Sequence, residues 1–287
     1  MRERAQSYPL DNFSAKINYY RGQVDTALNA ELNRRRKSPF FAPFADAFTG
    51  GKRLRSILLL LAYDSVREQN NDPLPAAVAV ELAHMESLIH DDIIDGDGVR
   101  RDATAFHARY GQEMALLSAD FILSMILSIA ARYPDARIMS ALATATGQMC
   151  EGELLERLVS DTNKAVRPAV YHRIVLKKTA SLFEAAATMG ALIGGASPVD
   201  LRALASYARA LGVAYQMRDD IVDSVHSRII MLDLKDTDHS QNEYLRDMAT
   251  ASVCEAVRRL SPLRPSEAKQ NLVELAERID SRPTDQI

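Results

Sequence analysis

The residues with the clearest chemical potential are aspartates in two clusters that lie far apart along the chain. One cluster reads DDIID at residues 91–95, and the other reads DDIVD at residues 219–223. In each cluster the first and last aspartates are at positions i and i+4, so a helix would place them on one face, one turn apart. Both clusters sit among apolar residues, where like charges destabilise a helix unless a cation balances them. Carboxylate oxygens suit hard divalent cations, and Mg²⁺ in particular takes its other ligands from water and substrate phosphates.

The two aspartate clusters are less consistent with a solvated acidic face, a calcium loop or a zinc site. A solvated acidic helix face would account for one such cluster, but two copies beside apolar runs favour metal binding. The glycine and ligand spacing of a calcium-binding EF-hand is absent. The His and Cys residues are not clustered as a zinc site requires. The sequence therefore predicts a site for magnesium and a diphosphate.

A diphosphate also needs positive side chains, and the segment GGKRLR at residues 50–55 offers them at the start of an apolar run. Its glycines allow a close backbone approach, and Lys52 and Arg55 lie three residues apart on one helical face. The segment is not a Walker loop, because the G-x-x-x-x-G-K-[ST] spacing is missing. Alone it is a weak signal, and an ordinary helix start explains it at least as well. Arg100 and Arg101 follow the first aspartate cluster, and the arginine fork suits phosphate oxygens.

Further polar residues occur within apolar helical stretches. His84 precedes Asp91 by two helical turns, and so it lies on nearly the same face. Lys178 and Thr179 belong to one such stretch, and Gln216 precedes the second aspartate cluster.

The elements that must position these residues are predicted to be helices throughout the chain. Among the 287 residues, 47% are hydrophobic and 25% are charged, as in an ordinary soluble globular protein. Apolar residues recur at spacings of three and four, and alternating β-branched runs are missing. We therefore expect an all-α fold, a single domain over residues 1–287 built as a bundle of about ten helices.

Charge and cysteine content restrict the function further. The net charge of −3 argues against a nucleic-acid partner, and Cys150 and Cys254 are too few for a disulfide scaffold, so a cytoplasmic location is predicted. The apolar stretch from Met114 to Ala131 is interrupted by Asp120 and serines, so a buried helix of a soluble core is favoured over stable membrane insertion.

Together these motifs give the chain a resemblance to the trans-isoprenyl diphosphate synthases, also called polyprenyl synthetases. The resemblance covers roughly residues 40–223, and it rests on GGKRLR (50–55), residues 81–111 with the first aspartate motif, LKKTASLF (176–183) and YQMRDDIVD (215–223). It implies an all-α isoprenoid-synthase bundle whose two aspartate motifs face each other across a central cavity. It also implies a homodimer.

The resemblance implies a role for each matched residue. Three Mg²⁺ ions would hold the allylic diphosphate: Asp91 and Asp95 would bind two of them, Asp219 would bind the third, and Asp92, Asp220 and Asp223 would be auxiliary ligands. Isopentenyl diphosphate would be bound by Lys52, Arg55, His84 and Arg101. The allylic diphosphate would be contacted by Arg100 and Lys178, with Thr179 and Gln216 beside the developing carbocation.

The implied reaction condenses isopentenyl diphosphate with an allylic diphosphate to give a linear trans-polyprenyl diphosphate, farnesyl, geranylgeranyl or longer. Two alternatives stay open. A class I terpene cyclase would share the metal site but lack the isopentenyl diphosphate pocket. A non-catalytic regulatory subunit of a heteromeric synthase would keep the fold and tune a partner.

The chain departs from the family pattern after residue 223. Family members continue with a lysine- and glycine-bearing loop of the GKxxGxD type, whereas here Lys235 is the only nearby lysine and the region reads as shortened. That departure puts the turnover rate in question. Glu86 and Ser87, just before the first motif, occupy positions that in the family line the tunnel for the growing chain. A carboxylate there would be costly unless it were paired, protonated or turned away.

Overall fold

A computed structural model describes residues 12–48, 50–96, 98–100, 103–162, 164–223, 230–234 and 240–281. The side chains of Asp46, Arg100, Ala103 and Asp223 also lie outside this description. The predicted positions Arg101 and Lys235 therefore fall outside the described residues.

The described part of the chain is built of α-helices, which confirms the predicted fold class. The helices are α1 (Asn12–Asn33), α2 (Phe41–Ala47), α3 (Leu54–Val66), α4 (Leu74–Asp95), α5 (Phe106–Tyr110), α6 (Gln112–Ala130), α7 (Ala136–Ser160), α8 (Pro168–Val175), α9 (Ser181–Gly194), α10 (Pro198–Asp223), α11 (Gln241–Arg259) and α12 (Glu267–Ser281). A π-helical turn, Leu176–Ala180, joins α8 to α9, and two short strands, β1 (Val99–Arg100) and β2 (Ala103–Thr104), pair antiparallel.

Local capping chemistry sets several helix ends where the sequence places polar residues or glycine. The side chain of Asp72 accepts a hydrogen bond from the backbone N–H of Leu74 at 3.0 Å, at the start of α4. Ser240 caps α11 in a capping box with Glu243. Gly96 follows α4 with a φ of 70°, in the left-handed region that favours glycine.

The hydrophobic core is formed largely by α3, α4, α9 and α10, whose apolar faces are almost fully buried. Helix α9 lies very close to α3 because Gly190 has no side chain: a Cβ there would approach the carbonyl carbon of Leu59 to 3.0 Å and its oxygen more closely still. These are closer than ordinary van der Waals contacts, so the α3–α9 pairing requires glycine at this position.

Helix α6 corresponds to the apolar stretch that the sequence assigns to a buried core. Among the described residues it is the one helix long and apolar enough to cross a membrane. One face, including Ile122 and Met125, is fully buried. The opposite face exposes Leu116, Leu123 and Leu127. The helix is therefore buried on one side only.

Candidate active site

The first aspartate cluster occupies the last turn of α4. Asp91 is half-buried and Asp95 is exposed, whereas Asp92 between them is buried, with 6% of its surface accessible. The i,i+4 spacing thus gives Asp91 and Asp95 a common, more accessible side of the helix, as the sequence predicts.

The second cluster lies at the end of α10, where Asp220 is held by hydrogen bonds to both of its carboxylate oxygens. The Tyr171 hydroxyl donates to Oδ2, and Gln216 Nε2 donates to Oδ1 at 2.8 Å. Burial raises the pKa of Asp220 to about 6, and the charges of Glu156 and Asp219 act in the same direction, against the two hydrogen bonds. Burial and the negative charge of Asp220 also raise the pKa of Tyr171, so its hydroxyl keeps its proton. The side chain of Asp223 lies outside the described residues.

Lys178 lies on the π-helical turn, within electrostatic range of Asp91 in the first aspartate cluster. Its Nζ contacts carboxylate oxygens of Glu153 and Glu156 on α7, each at 2.6 Å. Burial alone would lower the pKa of Lys178, but the charges of Glu156, Asp91 and Glu153 outweigh it and raise the pKa. Because Asp91 acts on Lys178 and Glu156 acts on Asp220, one lysine–glutamate cluster is within electrostatic range of both aspartate motifs.

Two glycines allow the helices on either side to approach the π-helical turn. A Cβ on Gly152 of α7 would come within 2.8 Å of the Lys178 Cα. A Cβ on Gly212 of α10 would come within 2.7 Å of the Ala180 Cα. Single π-turns inside α-helices occur frequently at functional sites, and this one carries both Lys178 and Thr179.

Thr179 is buried and connects the π-helical turn to α10. Its hydroxyl donates to Gln216 Oε1 at 2.6 Å. The structure therefore brings together Lys178, Thr179, Gln216 and Asp220, four of the residues that the sequence selects.

The cationic segment before α3 contains side chains with different environments. Arg53 is buried and binds Asp25, Glu81 and the Phe48 carbonyl, each at 2.8 Å, so it ties α1, α3 and α4 together. Lys52 remains partly accessible. The Arg55 guanidinium lies 4.8 Å from the ring centre of Phe183 in the first turn of α9.

The placement of the remaining predicted site residues is less complete. His84 is half-buried on α4. Arg100 lies on β1, but its side chain is outside the described residues, as is the whole of Arg101. Their predicted substrate contacts stay predictions.

Glu86 is half-buried on α4, and a second acidic group on another helix acts on it. Burial raises the pKa of Glu86 to about 7, and the charge of Asp120 on α6 contributes in the same direction. The carboxyl group is therefore near half-protonated at neutral pH, and protonation is one of the ways in which a carboxyl group can be tolerated at this position.

The region after α10 returns to the α7–α8 connection. Val166 donates to the Met231 carbonyl, and Asp233 donates to the Val166 carbonyl, each at 2.8 Å, while Leu232 packs into the apolar cluster around Tyr171. Residues 224–229 and 235–239, which hold most of the predicted shortened region, lie outside the described residues.

Sequence reasoning misses Glu153, Glu156 and Tyr171. A signal for the glutamates is present, because a lysine inside an apolar helical stretch needs acidic partners, and EGELLE at residues 151–156 supplies them. Tyr171 carries no comparable signal, since a tyrosine on an apolar helix face is most often a core residue.

The donor set suits magnesium that arrives with a diphosphate better than a metal held by protein alone. Within the described ranges, no three His, Cys, Asp or Glu side chains are close enough together to hold an ion. The available donors are carboxylates, which are hard oxygen ligands, and cations for phosphate oxygens lie beside them. The residues therefore fit Mg²⁺ whose coordination is completed by phosphate.

Comparison with known proteins adds independent information. The sequence model of the family described as polyprenyl synthetase matches residues 38–277. The geranylgeranyl diphosphate synthase of Methanosarcina mazei is 38% identical over 200 residues, which are 68% of this chain and 61% of that protein. The octaprenyl diphosphate synthase of Haemophilus influenzae is 34% identical over 174 residues, 61% of this chain and 53% of that protein. The matches thus span about half to three fifths of these relatives.

Solved structures are similar over almost the whole chain. The geranylgeranyl pyrophosphate synthetase from Pyrococcus horikoshii has a TM-score of 0.82 at 25% identity, covering 94% of this chain and 98% of that one. The decaprenyl diphosphate synthase from Rhodobacter capsulatus has a TM-score of 0.83 at 24% identity, covering 96% and 99%, and it supports the fold alone.

Proposed function

This chain belongs to the polyprenyl synthetase family, and we propose that it condenses isopentenyl diphosphate with an allylic diphosphate to give a linear trans-polyprenyl diphosphate. The observation that carries the proposal is the Lys178–Glu153–Glu156 cluster, which is within electrostatic range of Asp91 in the first aspartate motif and of Asp220 in the second. It supports the proposal that carboxylates from distant parts of the chain serve one site. The two relatives named above are synthases of products of very different length, and so product length is left open.

The described and predicted residues divide into a metal set and a substrate set. Asp91, Asp95 and Asp219 would be the principal Mg²⁺ ligands, with Asp92, Asp220 and Asp223 as auxiliary ligands, for three ions per site. Lys52, Arg55, His84 and Arg101 would bind isopentenyl diphosphate, and Arg100 and Lys178 would contact the allylic diphosphate. Bound Mg²⁺ would supply Lewis-acid neutralisation of the departing diphosphate.

The chain's own groups favour ionisation of the allylic C–O bond. Lys178, kept protonated by the carboxylates around it, places a positive charge where diphosphate charge develops. Thr179 and Gln216 supply oriented dipoles beside the allylic group. Apolar side chains around the site exclude water that would otherwise capture the carbocation. The isopentenyl double bond attacks the carbocation, and the resulting cation loses a proton to the departed diphosphate, which restores a double bond.

We propose that the working form is a homodimer that pairs through the exposed leucine face of α6. That face consists of Leu116, Leu117, Leu123 and Leu127, which are between 41% and 56% exposed in the isolated chain. Exposed leucines grouped on one helix face are a common feature of subunit contacts. We also propose that residues 1–287 form one domain and that the protein acts in the cytoplasm.

Labelled isopentenyl diphosphate with Mg²⁺ and allylic diphosphates of several lengths provides the test. The proposal predicts elongated linear products from the wild-type chain. Asp91→Asn should lower the rate by about 100-fold or more, because it removes the charge of a metal ligand, while Asp161→Asn, at the end of α7, should leave it unchanged. A hydrocarbon formed from a single allylic diphosphate would instead identify a cyclase. Absence of turnover, with rescue of a second synthase, would identify a regulatory subunit.

A further inference from the structure

The buried polar network around Asp220 extends beyond the residues assigned so far. Tyr171 comes from α8, Asp220 and Gln216 from α10, and Thr179 from the π-helical turn. Their hydrogen bonds form one chain: Tyr171 to Asp220, Gln216 to Asp220, and Thr179 to Gln216. Tyr171 is only 4% exposed, and Thr179 is equally buried.

The chemistry of the donors fixes the direction of each bond. An ionised carboxylate only accepts, so the Tyr171 hydroxyl and the Gln216 amide must both donate to Asp220. With its NH₂ turned to Asp220, Gln216 presents Oε1 to Thr179. The Thr179 hydroxyl must therefore donate its single proton to Gln216, and its oxygen lone pairs are left for another partner.

We propose that Tyr171 is a positioning residue that acts through Asp220 and Gln216 to hold Thr179 as a hydrogen-bond donor to Gln216. The inference rests on the proposed prenyl transfer. An oxygen whose lone pairs are fixed in advance stabilises positive charge on the allylic group without reorganisation during the reaction. In this arrangement Asp220 also anchors Gln216, so part of its contribution to catalysis is made through hydrogen bonds.

The packing around Tyr171 supports a fixed orientation. Its ring lies in an apolar cluster with Val175, Val213, Met217 and Leu232. Leu232 lies between Met231 and Asp233, which form backbone hydrogen bonds with Val166, so the segment after the second aspartate motif contributes to this apolar cluster. A phenol held in this way loses little further freedom when it binds Asp220.

Without the Tyr171 hydroxyl, one oxygen of Asp220 loses its donor. The Asp220 carboxylate is then free to turn and no longer fixes the Gln216 amide. Once Gln216 rotates, the Thr179 hydroxyl can turn its proton toward the substrate. The expected consequence is a slower chemical step with little change in substrate binding, because Tyr171 itself contacts neither diphosphate in this scheme.

Tyr171→Phe tests this with Tyr207→Phe as the matched control. Tyr207 is fully buried and donates to the Leu272 carbonyl at 2.6 Å, so its variant loses a comparable buried hydrogen bond that is not part of the Asp220 network. We expect Tyr171→Phe to lower kcat about 10- to 100-fold with the KM of each substrate within about twofold, as is typical when supporting residues are removed. Tyr207→Phe should lower Tm but leave kcat unchanged.

A double-mutant cycle with Thr179→Val shows whether Tyr171 acts through Thr179. In the Thr179→Val background, Tyr171→Phe should change kcat by less than about twofold. Independent, multiplicative effects, or an unchanged kcat in the single variant, would overturn the inference while leaving the proposed function intact. A wild-type chain that does not condense the two substrates would overturn both.

Discussion

At the scale of single residues, the cationic side chains in the segment 50–55 have different roles. Arg53 has a φ of 55° and is buried against Glu81 and Asp25, so its charge stabilises the fold. Lys52 remains partly accessible, and the Arg55 guanidinium lies over the Phe183 ring. From the sequence, Lys52 and Arg55 are assigned to substrate and Arg53 has no role, because residue types alone do not show which side chain turns inward.

This difference predicts that two neighbouring alanine variants change different properties, substrate binding in one and stability in the other. Lys52→Ala should raise the KM for isopentenyl diphosphate about 10- to 100-fold, the value of a charged hydrogen bond, with little change for the allylic substrate or in Tm. Arg53→Ala should lower the free energy of unfolding by about 3–5 kcal/mol, because it leaves Glu81 buried without its ion-pair partner. Steady-state kinetics and thermal denaturation separate the two. Equal effects of both variants on Tm would contradict the assignment.

Glu86 predicts a dependence of stability on pH. Its pKa in the folded protein is about 7, against an ordinary value of 4.5. Between these two values the folded state keeps a proton that the unfolded chain releases, so this group makes stability fall as pH rises and level off above pH 7.

Glu86→Gln should remove that contribution. The Tm of the variant relative to the wild type should therefore increase as pH is raised from 4.5 to 7. Glu113→Gln, at the exposed start of α6, is the matched charge removal. Curves of Tm against pH that run parallel for wild type and Glu86→Gln would show that burial does not shift this carboxyl group.

At the scale of elements, the π-helical turn is positioned by the absence of a side chain at Gly152. Gly152→Ala would force its Cβ against the Lys178 backbone, with a Cα at 2.8 Å, so α7 or the turn must move. We expect a loss of about 1–3 kcal/mol in the free energy of unfolding and a lower kcat, because Lys178 and Thr179 move with the turn.

Gly147→Ala is the control on the same helix. A Cβ at Gly147 would have no atom within 4 Å, so the variant should gain roughly 0.5–1 kcal/mol from its better helix propensity and keep its kcat. Denaturant unfolding and kinetics measure both effects. A stable, fully active Gly152→Ala protein would mean that close packing of α7 does not position the turn.

The elements also show what a sequence can and cannot predict. The start of α4 can be predicted because its signal is local. In the Asn-Asp-Pro segment at residues 71–73, a capping residue stands directly before a proline. The i,i+4 aspartates follow from helix geometry alone. The π-helical turn, the inward face of Arg53 and the bond from Tyr171 to Asp220 depend on helices that are distant in sequence, so local patterns carry no signal for them.

At the scale of the whole molecule, the outer face of α6 is the surface that we propose binds a second copy of the chain. The helix buries one face against the rest of the bundle and exposes Leu116, Leu123 and Leu127 along the other. These leucines lie at i, i+7 and i+11, which is one stripe of a helix. Each Å² of apolar surface removed from water contributes about 25 cal/mol, so burial of this face would favour association with a second copy.

Leu123→Glu combined with Leu127→Glu should therefore separate the subunits, because it places two charges in the proposed contact. Analytical ultracentrifugation should give twice the chain mass of 31.8 kDa for the wild type and the single-chain mass for the double variant. Val199→Glu, at an exposed apolar position at the start of α10, should leave the dimer intact. A wild type that sediments as a monomer, or a double variant that remains dimeric, would exclude the α6 face as the subunit contact. The leucines would then need another partner, because large apolar side chains grouped on one exposed face are unfavourable in water.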